Sequence, residues 1–280
     1  MLPARKFSRV PFLLLCALFL FCAEPAAAQL PFYTDDPSVT DPGKLHFEFF
    51  NEYDFLQSSE YPNLHQNTDN FKLNYGLPHG LELDVDAPYL YIDRAIGVPS
   101  SQGTGDTDMG IKWEFRKPVE GSHAPALGAS LYIEVPTGNV HQQLGSGLTD
   151  YWLNFIIQEP LTSKTRINTN LGFLFAGNTS TGVVGIQTTR GHVYTGGVSL
   201  LHDFTPRLTV GGELYGGLDD NDQLARSQLQ AMLGAQYQLR NGLGLAFGLL
   251  GGTFVASPRI GVQVGFAIDL PDLWRPSKPE

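Results

Sequence analysis

Cysteine is nearly absent from this chain, and what there is lies at its start. Of 280 residues, only Cys16 and Cys22 are cysteines. Both fall in "MLPARKFSRVPFLLLCALFLFCAEPAAAQ", which has basic residues at Arg5, Lys6 and Arg9, an apolar run from Pro11 to Ala23, and small residues at Ala26-Ala27-Ala28. That order reads as a secretory signal peptide over residues 1–28, cleaved before Gln29. An N-terminal anchor is the competing reading, but the apolar run is short for a span. Bulky Phe21 stands where lipid modification of Cys22 would want a small residue. A chain starting at Gln29 has no disulfide and depends on its sheet and surroundings for stability.

Long apolar runs are missing too. After residue 28 no apolar run approaches 18 residues, so no membrane helix is encoded. Positive charge is scarce: without residues 1–28, which hold Arg5, Lys6, Arg9 and Glu24, 15 basic residues face 27 acidic ones, and the formal charge goes from −10 to −12. That balance excludes a basic nucleic-acid surface. If such a chain enters a membrane it does so as a closed barrel, because lipid cannot satisfy an open sheet edge.

What is abundant is alternation. In "RSQLQAMLGAQYQLRNGLGLAFGLLGG" (226–252), Leu229, Ala231, Leu233, Ala235, Tyr237 and Leu239 share one parity, and Gln228, Gln230, Gly234, Gln236 and Gln238 the other. Period two places these sets on opposite faces of a strand. Asn241-Gly242 then predicts a hairpin, since a type I′ turn needs positive φ at both central residues. The same pattern recurs in Leu81 to Tyr91 against Glu82, Asp84 and Asp86, and in Met109, Ile111, Trp113 and Phe115 against Asp108, Lys112, Glu114 and Arg116. About twelve strands are predicted: 44–55, 68–76, 80–93, 106–116, 125–135, 148–159, 165–176, 191–204, 207–217, 226–240, 243–253 and 258–270. Their length, near the 9–11 residues of a tilted membrane strand, and connections that alternate short and long both favour a transmembrane antiparallel up-and-down β-barrel. The expected organisation is a signal peptide (1–28), an N-terminal periplasmic or plug segment (29–43), the barrel (44–270) and a C-terminal tail (271–280). Apolar rows then face lipid and polar rows the lumen. Paired aromatics near strand ends (Tyr53 and Phe55, Tyr89 and Tyr91, Trp113 and Phe115, Tyr151 and Trp152) fit an interfacial girdle or plain β-propensity.

Chemistry-bearing motifs are few. The glycines of "GTGDTDMGIKW" (Gly103, Gly105, Gly110) open no helix, so they are read as a loop leading into a strand and not as a nucleotide site. The histidines at 46, 65, 79, 123, 141, 192 and 202 lack zinc-motif spacing, and no metal or cofactor is expected. No G-x-S-x-G elbow occurs. An enzyme acting on lipid would need Ser130 or Ser199 beside His192 or His202. The candidate lumen lining is Glu48, Glu52, Lys72, Glu82, Asp84, Lys112, Glu114, Glu134, Arg207, Glu213 and Gln236, with Arg166 a further possible partner for the carboxylates. The acidic members form either a channel lining or a cross-strand salt-bridge ladder. In "QLPFYTDDPSVTDPG", three prolines disfavour regular structure while Phe32 and Tyr33 seek burial, so this segment is either a plug or a loose leader.

"PFYTDDPSVTDPGKLHFEFF", "YGLPHGLELDVDAPYLY" and "GTGDTDMGIKWEFR" resemble the outer-membrane family of the MetA pathway of phenol degradation, whose members are often labelled transporters. The G-x-G-D-x-x-x-G-x-K pattern spans Gly103 to Lys112. The resemblance implies a Gram-negative outer-membrane barrel similar to channels for long-chain fatty acids and aromatic hydrocarbons, with no catalytic residues. It implies passive uptake of small hydrophobic or aromatic solutes, with membrane lipid and the outer-membrane assembly machinery as partners. A lipid-acting barrel enzyme and a non-transporting structural barrel are the alternatives. The chain departs from many such barrels in ending its last strand at Leu270 and adding "PDLWRPSKPE", which leaves Phe266 as the candidate assembly aromatic.

Overall fold

A computed structural model describes residues 30–119, 121–176, 191–219, 228–239 and 243–270. The expected signal peptide, the Asn241-Gly242 turn, the tail at 271–280, the connection at 177–190 and most of that at 218–225 lie outside the described residues. The strands are β1 (Leu45–Phe55), β2 (Asn63–Leu77), β3 (Leu81–Arg94), β4 (Ser101–Thr104), β5 (Thr107–Arg116), β6 (Ala126–Val135), β7 (Asp150–Pro160), β8 (Thr165–Ala176), β9 (Gly191–Thr205), β10 (Leu208–Asp219), β11 (Gln228–Gln238), β12 (Leu243–Gly252) and β13 (Ile260–Leu270). Neighbours in the chain pair antiparallel, and β1 pairs with both β2 and β13, which closes the sheet on itself. β4 and β5 both pair with β3, so they form one wall strand broken at Gly105-Asp106. The result is a closed antiparallel barrel of twelve strands. Closure leaves no edge, the condition for a sheet in lipid.

The faces sort as the alternation predicts. On β3, Leu83, Val85, Tyr89 and Tyr91 are exposed while Glu82 and Asp84 are buried. On β11, Leu229, Leu233 and Tyr237 are exposed and Gln228 and Gln230 buried. The polar rows therefore point inward and the apolar rows form the outer surface, the reverse of a soluble sandwich. Seven of the eight strand-end aromatics are exposed on that surface. Trp152 is not. It points inward, and its indole N–H donates to Thr195 Oγ1 at 3.0 Å.

The two rims differ. Both ends of the barrel sequence and the turns 78–80, 161–164 and 206–207 lie at one rim, the short-turn end; the connections 56–62, 95–100 and 136–149 lie at the other, the long-loop end. At the short-turn end His46 contacts Glu48 (3.1 Å) and Asp269 (2.7 Å), tying β1 to β13 at the closing seam. Two expectations need correction here. "SQGT" is strand rather than loop, because the stretch from Ser101 to Thr104 extends the wall beside Tyr89 to Ile92. Arg207 does not line the interior: Pro206 cannot donate to the ladder, so β10 starts at Leu208 and Arg207 is left exposed in the turn.

Candidate functional site

The residues before β1 lie inside the barrel. Leu30, Pro31, Phe32, Thr34 and Pro37 are buried, while Asp41 and Pro42 are exposed at the short-turn rim. The three prolines keep this stretch out of any ladder. Glycines of the wall make room for it. A Cβ on Gly234 would strike Pro31 and Phe32, one on Gly248 would press on Pro31, and one on Gly265 would press on Leu30. Phe32 packs on Leu201, Met232 and Leu250. Burying a ring of this size is worth about 1.5–3 kcal/mol. Tyr33 stacks on Tyr215, with ring centroids 5.6 Å apart.

Several wall polar groups turn toward this segment. Glu213, buried on β10, accepts the backbone N–H of Tyr33 (3.2 Å) and of Thr34. Glu82 accepts from Thr40 N at 2.5 Å, and Gln236 donates to the Leu30 carbonyl. The Tyr33 hydroxyl donates to Glu52. Burial, reinforced by Glu52 and Asp54, pushes that hydroxyl well above its ordinary range, so it stays the proton donor. Lys112, 1 % exposed, pairs with Asp35 at 2.9 Å. With its amide turned to satisfy both groups, Asn170 donates to the Asp35 carbonyl (2.9 Å) and accepts from its N–H (3.0 Å).

Ion pairs from strand to strand are few among the described residues. Glu48 and Lys72 are cross-strand neighbours, as are Glu82 and Lys112, yet the buried cation Lys112 goes to Asp35. Arg166 pairs with Asp203 (3.0 Å), and Glu114 lies 3.6 Å from exposed Lys117. Asp84 accepts from the Tyr132 hydroxyl at 2.8 Å. Glu213→Ala should orphan two buried N–H groups at about 1–3 kcal/mol each. The expected readout is faster proteolytic cleavage within residues 30–40 in a barrel that otherwise stays resistant. Unchanged cleavage would show that Glu213 does not hold the segment.

Above the segment the connection 136–149 folds inward. Leu144 is buried against Leu90 and Ile92, the inward-facing residues of outer β3. Asp106, at the break between β4 and β5, accepts Gly138 N (2.8 Å) and Ser146 N (2.7 Å). Arg94 donates to Asn63 Oδ1, the Pro99 carbonyl and Gln143 Oε1, joining the outer end of β2 to two long loops. Between this roof and the segment lies a cavity of about 280 Å³ whose aromatic lining is Phe32, Tyr33, Phe50, Tyr132, Trp152 and Tyr215. Glu48, Glu52, Lys72 and Glu134 also line it.

Asp106, Leu90, Ile92, Met232 and Leu250 were not among the residues singled out from sequence, although each shapes the interior. A serine–histidine pair is not assembled: the Oγ atoms of Ser130 and Ser199 are buried and make no hydrogen bond, and His202 contacts Thr165 at 2.9 Å.

The architecture has solved counterparts. The COG4313 outer membrane channel from Pseudomonas putida F1 superposes with a TM-score of 0.66 at 15 % identity, covering 86 % of this chain and 100 % of that one. The KdgM porin in complex with disordered oligogalacturonate gives 0.53 at 10 % identity, covering 81 % and 99 %. The NanC porin gives 0.53 at 9 % identity, covering 81 % and 100 %. At such identities the likeness is one of fold. No protein of curated function matches the sequence. The family model described as "Putative MetA-pathway of phenol degradation" matches residues 34–270, from inside the N-terminal segment to the end of β13, and the chain belongs to that family.

Proposed function

We propose that this chain is an outer-membrane channel that passively admits small hydrophobic or aromatic compounds, exported by way of a signal peptide cleaved after Ala28. The observation that carries the reading is the aromatic-lined chamber held inside a barrel whose outer surface is apolar. Its volume is about 280 Å³, just below the range of about 300–1,000 Å³ typical of pockets for drug-sized ligands, and so suits a single-ring compound. In this reading the segment before β1 is a plug, held by Phe32 and Tyr33, and the inward carboxylates and amides are the lining. The folded 136–149 connection covers the chamber on the outer side. Lipid surrounds the apolar face, and assembly depends on the outer-membrane insertion machinery.

Unheated protein should migrate apart from boiled protein on a denaturing gel, because a closed barrel resists detergent unfolding; recovery as a soluble monomer would remove the membrane reading. In planar bilayers the refolded protein should conduct ions, and 2-phenylethanol should lower that current in a concentration-dependent way. A folded barrel that is silent supports the structural-barrel alternative. A current indifferent to the alcohol places the path outside the aromatic chamber.

A further inference from the structure

Ionisable residues form an ordered row around one side of the barrel. Register sets Glu48 opposite Lys72, Lys72 opposite Asp86, Asp86 opposite Asp108, Asp108 opposite Glu134, and Glu134 opposite Asp150. Glu48 lies near the short-turn end of β1, and Asp150 is the long-loop end of β7. A row followed straight across tilted strands climbs the wall, so these residues make a stair from one rim toward the other. Like charges directly opposite one another are destabilising, and here four carboxylates succeed one another without an intervening cation. Lys72, Asp86, Asp108 and Glu134 line the aromatic chamber.

A second observation is independent of the carboxylates. Ser130 and Asn154, 3 % and 4 % exposed, line the same chamber, and Ser130 Oγ and Asn154 Oδ1 have no hydrogen-bond partner. Asn70 Oδ1 and Asp86 Oδ1, also on the chamber wall, are likewise unpartnered. The wall therefore has a surplus of acceptors: its own cation, Lys72, stands at one end of the row between Glu48 and Asp86, and Lys112, outside the chamber lining, is taken up by Asp35. Among the described residues no three acidic or histidine side chains converge closely enough to hold a metal ion. The spacing suits a larger cation that brings several donors of its own.

We propose that the chamber selects small aromatic amines in their ammonium form, which deepens the channel reading above and rests on it. The ammonium group sits among Asp86, Asp108 and Glu134, relieving their mutual repulsion and donating to Ser130 or Asn154. The ring lies against Tyr132 and Trp152, whose faces also attract a cation. Anions are repelled by the same stair.

The test uses three probes of one shape, 2-phenylethylamine, 2-phenylethanol and phenylacetate, titrated calorimetrically into the refolded, heat-modifiable barrel. The amine should bind at least about tenfold more tightly than the alcohol (about 1.4 kcal/mol), and phenylacetate weakest. Asp108→Asn with Glu134→Gln should abolish the preference, bringing the amine's affinity level with the alcohol's in that variant. Should that double variant fail to assemble, a salt titration on the native barrel decides: amine binding should weaken with ionic strength while alcohol binding holds. Equal affinity for amine and alcohol, a preference for phenylacetate, or a preference that survives the double variant or high salt overturns the amine proposal and leaves the channel reading standing. Binding of none of the three overturns both.

Discussion

Deleting residues 30–41 should raise the single-channel conductance severalfold, with the barrel still assembled. The segment spans the interior: on one side it rests on Gly234, Gly248 and Gly265 of β11, β12 and β13, and on the other it reaches Glu82 of β3 and Lys112 of β5. Removing it opens the section between these walls. The wall survives because each strand keeps its own ladder to both neighbours, none of which runs through the segment. The groups left behind, Glu52, Glu82, Lys112, Glu213 and Gln236, become wet and recover hydrogen bonds from water. Block by 2-phenylethanol should weaken at the same time, since Phe32 and Tyr33 form part of the chamber lining. Gly234→Leu offers the same test without a deletion, as its side chain would occupy the place of Pro31 and Phe32. Unchanged conductance in a heat-modifiable deletion variant would mean that the segment does not obstruct the path.

Strand positions were legible because period-two alternation is a local property. β3, β6, β8 and β12 begin and end within a residue of the alternation's own limits. β2 is longer than expected because His65, Gln66 and Asn67 pair with Phe55, Asp54 and Tyr53 of β1 and with outer β3, although "NLHQN", with Leu64 its one apolar residue, carries no alternation to read. Which face points outward was not a matter of period. Strand length, missing helices and the rhythm of the connections decided it, and those are properties of the whole chain.

The site was less legible, for two different reasons. Some of its signals were present and small: the inward parity of β3 turns from Glu82, Asp84 and Asp86 to Leu90 and Ile92, and Met232 interrupts the inward glutamines of β11. Each break marks a place where the wall meets an internal partner, Leu144 in one case and Phe32 in the other. Other features have no local trace. Glu213 and the backbone of Tyr33 are 180 residues apart, and nothing near Glu213 distinguishes it from a carboxylate facing water. Asp106 belongs to the glycine-rich stretch read as a loop, but the backbone N–H groups it holds lie more than thirty residues on. Arg207 errs the other way: its charge suited the interior, and a single proline kept it in the turn.

A positive charge placed on the outer face should be far more costly than the same charge placed three residues away on the inner one. Leu233 is 71 % exposed in the middle of β11, flanked by Gly212 of β10 and Leu249 of β12. With lipid as the solvent for that face, Leu233→Arg should destabilise the barrel by about 2–4 kcal/mol, the midplane cost of such a substitution. Its long stem cannot snorkel cheaply from that depth. Gln236 lies one turn of the pleat nearer the short-turn rim and faces inward, where it donates to the Leu30 carbonyl. Gln236→Arg keeps a donor for that carbonyl and adds a cation to an interior rich in carboxylates, so its effect should be under about 1 kcal/mol. Urea unfolding of the refolded protein in lipid vesicles, followed by the loss of the fast-migrating gel band, reads both variants on one scale. Equal destabilisation at the two positions would mean that the face carrying Leu229, Leu233 and Tyr237 is not in contact with lipid. The reverse order would turn the barrel inside out and take the aromatic chamber with it, because Phe32, Met232 and the inward glutamines all lie on the face opposite Leu233.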